Sequence, residues 1–205
     1  MAAIYPLAFP SGGIATVEFT VRDKVGDFSS EFSGNQSVVA HLGQRLDILV
    51  SSVALRRAEA SEWIAFMNAL RGKFGTFSFG DPFNIAPRGS APGTPLIDGA
   101  SETGEDINSK GWTPSQSNII RKADWLQFGT GDTRQLTQSL TDVNSDASGL
   151  ALLSVYPHIR TAFADSTAIT TASPTAVFRL LSNERGWEVQ PNGLYKFAFS
   201  AREAF

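Results

Sequence analysis

The chain has 205 residues, 42% hydrophobic and 18% charged, with 15 Phe among its aromatic residues. That is enough apolar bulk for a core, so whole-chain disorder is excluded and one domain, or two small ones, is expected. Net charge is -3 and there are no cysteines, which excludes disulfides, thiolate metal sites and cysteine nucleophiles, and argues against a basic nucleic-acid-binding surface.

Met1 to Pro10 has no basic region and carries Pro6 and Pro10, so it reads as neither signal peptide nor anchor. No stretch approaches the roughly 18 apolar residues of a membrane helix. A soluble protein made in the cytosol is expected. Val17, Phe19 and Val21 then alternate with Glu18, Thr20 and Arg22, a half-buried strand. Asp23 to Gln36 reads as a loop in which Val25, Phe28 and Phe32 stand among Gly, Ser and Asp. Apolar residues in a polar loop either order against a neighbour, which makes these three the candidate assembly contacts, or tuck onto their own core. Leu46, Ile48 and Val50 form a second alternating strand.

Ala58 to Leu70 is the one clear helix. Trp63, Phe66, Met67 and Leu70 fall at i, i+3, i+4 and i+7 and make one apolar stripe. Glu59 and Glu62 suit its first turns, Arg71 follows the last turn, and Gly72 is a left-handed stop. Phe77 and Phe79 alternate with Thr76 and Ser78 in a further strand. From about Asp81 to Asn118 the chain is rich in Gly, Pro, Ser, Thr and Asn, with Leu96, Ile97 and Trp112 as anchors, which favours short strands and long turns. A second β region follows to about Leu181, through Trp125 to Phe128, Leu150 to Tyr156 and Ala176 to Leu181. Tyr195, Phe197 and Phe199 alternate in a terminal strand that must pair with the first unit.

The expected fold is therefore mainly β. An N-terminal β-sandwich or split-barrel unit (1–86) carries the helix, placed at 58–71. A smaller β-barrel-like unit (87–182) is inserted, and a terminal strand segment (183–205) returns to the first unit.

Reactive groups are scarce. His41 and His158 are the only histidines and no zincin spacing occurs. There is no Gly-x-Ser-x-Gly elbow. Gly72-Lys73 lacks the rest of a phosphate loop, and Gly129-Thr130-Gly131 does not open a dinucleotide-binding helix. Asp142, Asn144 and Asp146 match the start of a calcium loop, but its sixth and twelfth positions hold Ala147 and Leu153, so an Asx-stabilised turn is expected. Asn35-Gln36-Ser37 fits a glycosylation acceptor, without a secretory signal to give it meaning. No catalytic, cofactor or metal residue is assigned. Two alternatives stand beside an assembly role. In a carbohydrate-binding module, Trp112 or Trp125 would stack on a sugar beside carboxylates. In a cell-wall hydrolase, two of Glu102, Glu105 and Asp106 would act as acid and base.

Several phrases, in order, carry a resemblance. They are Ala58-Glu59-Ala60, Trp63-Ile64-Ala65-Phe66, Leu70-Arg71-Gly72 and Gly75-Thr76-Phe77-Ser78-Phe79-Gly80-Asp81-Pro82 around the helix exit. Ala123-Asp124-Trp125-Leu126-Gln127-Phe128-Gly129 follows, where relatives usually have Gly-Asp. Then come Asp146-Ala147-Ser148-Gly149, Pro157-His158-Ile159-Arg160, Pro174-Thr175-Ala176-Val177-Phe178-Arg179-Leu180, and the ending Phe197 to Phe205. Together they resemble the distal tail and minor tail proteins of long-tailed bacteriophages and gene transfer particles. The resemblance implies a structural subunit of the virion tail tip, without catalytic residues or cofactors. Such a subunit forms a ring, commonly of six copies, that joins the tail tube protein to the baseplate hub protein. Receptor-binding or side-fibre proteins would attach at the insertion. It implies no membrane and no specific nucleic acid, with DNA free to pass through a lumen that does not grip it.

Overall fold

The computed structural model describes residues 4–204; Met1 to Ala3 and Phe205, which belong to the expected N-terminal and C-terminal segments, lie outside the described residues. In chain order the strands are β1 (Leu7–Ala8), β2 (Ile14–Ser29), β3 (Gln36–Ser52), β4 (Phe77–Phe79), β5 (Gly93–Ile97), β6 (Glu102–Trp112), β7 (Trp125–Phe128), β8 (Gln135–Ser139), β9 (Ala151–Phe163), β10 (Ile169–Thr170), β11 (Ala176–Leu180), β12 (Trp187–Val189) and β13 (Tyr195–Glu203). One α-helix, α1 (Arg57–Leu70), follows β3. The protein is mainly β.

The strands divide between two sheets. The first runs β1-β4-β11-β13-β3-β2, with β12 also pairing β13. The second runs β10-β7-β8-β9-β6-β5. This sheet nearly closes into a barrel, because β5 meets the segment entering β10: Ile97 N–H donates to Thr167 O (2.9 Å) and Ser166 N–H to Ile97 O (3.0 Å).

Alternation explains the first core. Leu46, Ile48 and Val50 of β3, Phe77 and Phe79 of β4, and Phe197 and Phe199 of β13 are all buried on one face of the first sheet. The helix lays its stripe on that face, with Trp63 stacked on Phe197 at 5.4 Å between ring centroids. Arg71 is itself left-handed (φ 52°) beyond the last helical residue, and Gly72 continues the turn (φ 69°). No Cβ fits at Gly72, since it would come 2.9 Å from Asn183 Cα. A second core fills the barrel, around Ile97, Ile107, Trp112, Leu126, Phe128, Leu153 and Val155.

Two expectations need correction. The strand at 176–180 does not belong with the insertion: β11 pairs with β4 and β13 in the first sheet, so the six-strand sheet spans 93–170. Ala176, Phe178 and Leu180 fall on the apolar side of the first core, which selects that partner. Asp23 to Gln36 is not a loop either. Lys24 to Ser29 and Gln36 to His41 pair residue for residue, leaving only 30–35 as a turn.

One carboxylate ties the inter-sheet connection to the barrel. Asp124 is fully buried; it accepts N–H bonds from Arg88 (2.8 Å), Gly89 (3.0 Å) and Arg121 (2.8 Å). Replacing it by alanine strands those amides away from water. Asp124→Ala is expected to lower unfolding free energy by about 2–4 kcal/mol in urea titration; a loss below about 1 kcal/mol would mean that water or a shifted backbone satisfies them.

Candidate assembly surface

Beyond Arg22 the β2–β3 ribbon leaves the body of the protein. Its register is regular up to Arg22↔Arg45 and resumes at Lys24↔His41, so Leu42, Gly43 and Gln44 stand against Asp23 alone. A bulge of this kind bends and twists a ribbon. Gly43 takes φ 123°, a conformation that side chains resist. The bend is fastened from β9: the Tyr156 hydroxyl donates to Asp23 and Arg160 donates to Gln44 O. Burial first, and then the Asp23 carboxylate, push the Tyr156 hydroxyl up to about 12, so it stays a donor.

Past the bend lies a two-stranded arm. Six pairs from Lys24↔His41 to Ser29↔Gln36 make it about 20 Å long. The tip is closed by Ser30 N–H to Asn35 O and Gly34 N–H to Ser30 O, each 2.9 Å, and Gln36 Nε2 braces Asp27 Oδ1 at 2.9 Å. Strand parity puts Val25 and Val38 on one face and Phe28 and Val39 on the other. All four are exposed, Val25 by 55% and Phe28 by 69%, and Phe32 at the tip is fully exposed. Of the two outcomes expected for Val25, Phe28 and Phe32, tucking onto their own core is therefore the one not seen. Val38 and Val39, just beyond the expected loop, join them.

The arm's edges are open as well. β2 is the end strand of its sheet, and β3 pairs with β13 only from Asp47 to Ser51. Among the described residues, 36–41 and 24–29 thus have strand partners only in each other. An isolated ribbon of two strands is marginal in water, and open edges recruit further strands.

The candidate glycan contacts are placed otherwise than expected. Trp112 is 3% exposed, inside the barrel core, with Nε1 donating to Ser109 Oγ at 2.8 Å. Trp125 is 5% exposed and packs against Phe19 at 5.1 Å in the first core. Neither offers a ring face to a sugar, because each anchors a core through its large apolar area. Of the three candidate acids, Glu102 accepts from Asn108 N and Nδ2 (3.4 Å each), Glu105 faces His158 Nε2 at 2.5 Å, and Asp106 is exposed. The aspartates of the calcium-like segment cap backbone instead: Asp142 Oδ1 accepts from Lys122 N–H, and Asp146 Oδ1 from Ser148 and Leu150 N–H (2.7 and 2.8 Å). Among the described residues no three His, Asp or Glu side chains are grouped to hold a metal ion, and no helix is long and apolar enough to cross a membrane.

At the root of the arm, on the sheet face away from the helix, Asp47 gathers two arginines. Arg202 Nε and Nη2 reach its two oxygens at 2.7 and 2.9 Å, and Arg22 Nε also donates to it. Burial alone would raise the Asp47 carboxyl, but the arginines outweigh it and hold its pKa below the ordinary aspartate value. A depressed carboxyl binds its proton more tightly in the unfolded chain. Its contribution to stability is complete above about pH 4 and is lost as pH falls through the folded value. Asp47→Asn is therefore expected to cost stability at neutral pH and progressively less under acid, read from urea midpoints across that range; equal losses at both ends would assign its role to shape rather than charge.

The chain matches no known protein-family model and no curated protein.

Proposed function

We propose that this protein is a structural ring subunit of a bacteriophage tail, set at the distal end of the tail tube and joining the tube protein to the baseplate hub. The observation that carries the assembly reading is the arm at 24–41: preformed, with exposed apolar residues on both faces, open at both edges, and with no core for those residues among the described residues of its own subunit. A second copy supplies what it lacks, in a head-to-tail contact that closes when the rotation between copies closes. Six copies, a virion location and attachment of receptor-binding or side-fibre proteins at the barrel follow from the family resemblance and belong to the same proposal. The subunit works by assembly, with no turnover.

Light scattering coupled to size exclusion, from low micromolar to near-millimolar protein, tests assembly, and imaging of tail tips tests location. Closed rings at high concentration or at the tail tip support the reading. A chain that stays monomeric throughout and is absent from purified particles overturns it.

A further inference from the structure

Net charge -3 is an average, and the fold segregates it. Two shallow depressions, of about 690 and 240 Å³, share Arg45 and Arg202. The larger also takes in Arg22 and Lys24, at the root of the arm; the smaller takes in Lys73 and Arg179. They form one track of six cations, drawn from five distant stretches of sequence. The carboxylates along it are already engaged: Asp47 by Arg22 and Arg202, Asp23 by Tyr156, and Glu203 by Arg160. Arg179 and Lys73 are exposed, and neither side chain has an ion-pair partner among the described residues.

From this track we propose a binding surface for the phosphate backbone of a nucleic acid, without base recognition. Charge complementarity selects a polyanion, since adjacent cations repel one another until a ligand offsets them. The make-up of the track selects phosphate over an acidic protein. Across the strands the row reads Arg179, Arg202, Asp47, Thr20, with Arg22 opposite Arg45 beside it. A protein interface wants an apolar centre, and this one has guanidinium groups. Asp47 fixes two of them through Arg22 Nε and through Arg202 Nε and Nη2, which among the described residues leaves other N–H groups of both guanidinium groups to meet phosphate oxygens. The surface lies on one subunit, so it holds or fails independently of ring formation. It also departs from the expectation of a lumen indifferent to DNA.

The test is fluorescence anisotropy of the intact protein with a labelled mixed-sequence DNA duplex, over a range of salt. Binding is expected at low salt, weakening steeply and linearly in log–log form as salt rises. The double variant R179Q/K73Q leaves the Asp47 cluster intact, so its melting temperature should be unchanged. It should bind at least about tenfold more weakly and lower the salt slope by about two. Absence of binding at low salt, or a variant with wild-type affinity and slope, overturns the proposal. So does displacement of the duplex by polyglutamate at equal charge concentration, which would assign the face to an acidic protein partner.

Discussion

Replacing Arg160 by methionine is expected to cost about 3–5 kcal/mol of stability, because it leaves a buried carboxylate without its counter-charge. Arg160 leaves β9 in the barrel and reaches the first sheet, where Nη2 donates to Glu203 Oε2 at 2.9 Å and Nη1 to Gln44 O. Glu203 is 1% exposed. Its backbone setting is firm: Arg160 N–H donates to Gln135 Oε1 (3.1 Å), whose amide donates to His158 O (2.5 Å). Around this pair the two sheets meet through the first core, which Trp125 and Leu136 join with Trp125 against Phe19, and through Gln127 Oε1, which accepts from Thr175 N–H at 2.9 Å. The double variant R160M/E203L removes both charges and fills their space. It should recover more than half of the loss, since a buried pair breaks even against apolar packing far more often than a lone charge does.

The pH dependence separates charge from packing. Burial raises the Glu203 carboxyl pKa above the ordinary glutamate value, and Arg160 opposes but does not cancel that. A raised carboxyl is favoured protonated in the fold, so stability declines as pH climbs from about 4.3 through the folded value and then levels off. Without Arg160 the carboxyl rises further and the decline deepens. The methionine variant should thus be nearer wild type at about pH 4 than at about pH 8 in paired denaturant melts. A penalty that is the same at both would place the effect in lost side-chain volume.

Much of this architecture can be read from the order of residues. The alternation at Leu46, Ile48, Val50 and at Phe197, Phe199 marks strands because a pleat sends neighbours to opposite faces. The spacing of Trp63, Phe66, Met67 and Leu70 marks the helix by the same logic at another period. What spacing does not carry is partnership. Ala176 to Leu180 reads as a strand in either sheet, and only the pairing with Phe77 to Phe79 and with Leu180↔Ala201 decides. Trp112 and Trp125 look like sugar platforms among polar loop residues, yet both are core: Trp112 ends the half-buried β6, and Trp125 opens β7, which is buried at all four positions. The arm was hidden by its composition: Gly26, Ser29, Ser30 and Gly34 suggest a loop, while cross-strand pairing with Val38 to His41 makes a ribbon of it. The basic track is equally invisible, since Arg22, Arg45, Lys73, Arg179 and Arg202 meet only once β11, β13, β3 and β2 lie side by side.

Phe28→Asp combined with Phe32→Asp is expected to abolish assembly while leaving the isolated subunit as stable as before. Both rings stand in water in the single subunit, so losing them removes no core contact, and the change in unfolding free energy should stay within about 0.5 kcal/mol. In a subunit contact the same rings would each bury an area worth about 1.5–3 kcal/mol, and a buried aspartate adds a penalty of its own. Removing two such anchors weakens each contact by about two to four orders of magnitude. In the proposed closed ring that contact would recur at every junction, so the loss would compound and rings should vanish at concentrations where the wild type assembles. Phe83→Ser provides the control, because Phe83 is as exposed as Phe28 but lies outside the arm and should leave assembly intact. Scattering mass and thermal melts on the same samples read both halves. Rings formed by the arm variant at wild-type concentrations would move the interface elsewhere on the molecule. A melting temperature that drops with the arm changes would instead show that Phe28 and Phe32 serve their own chain.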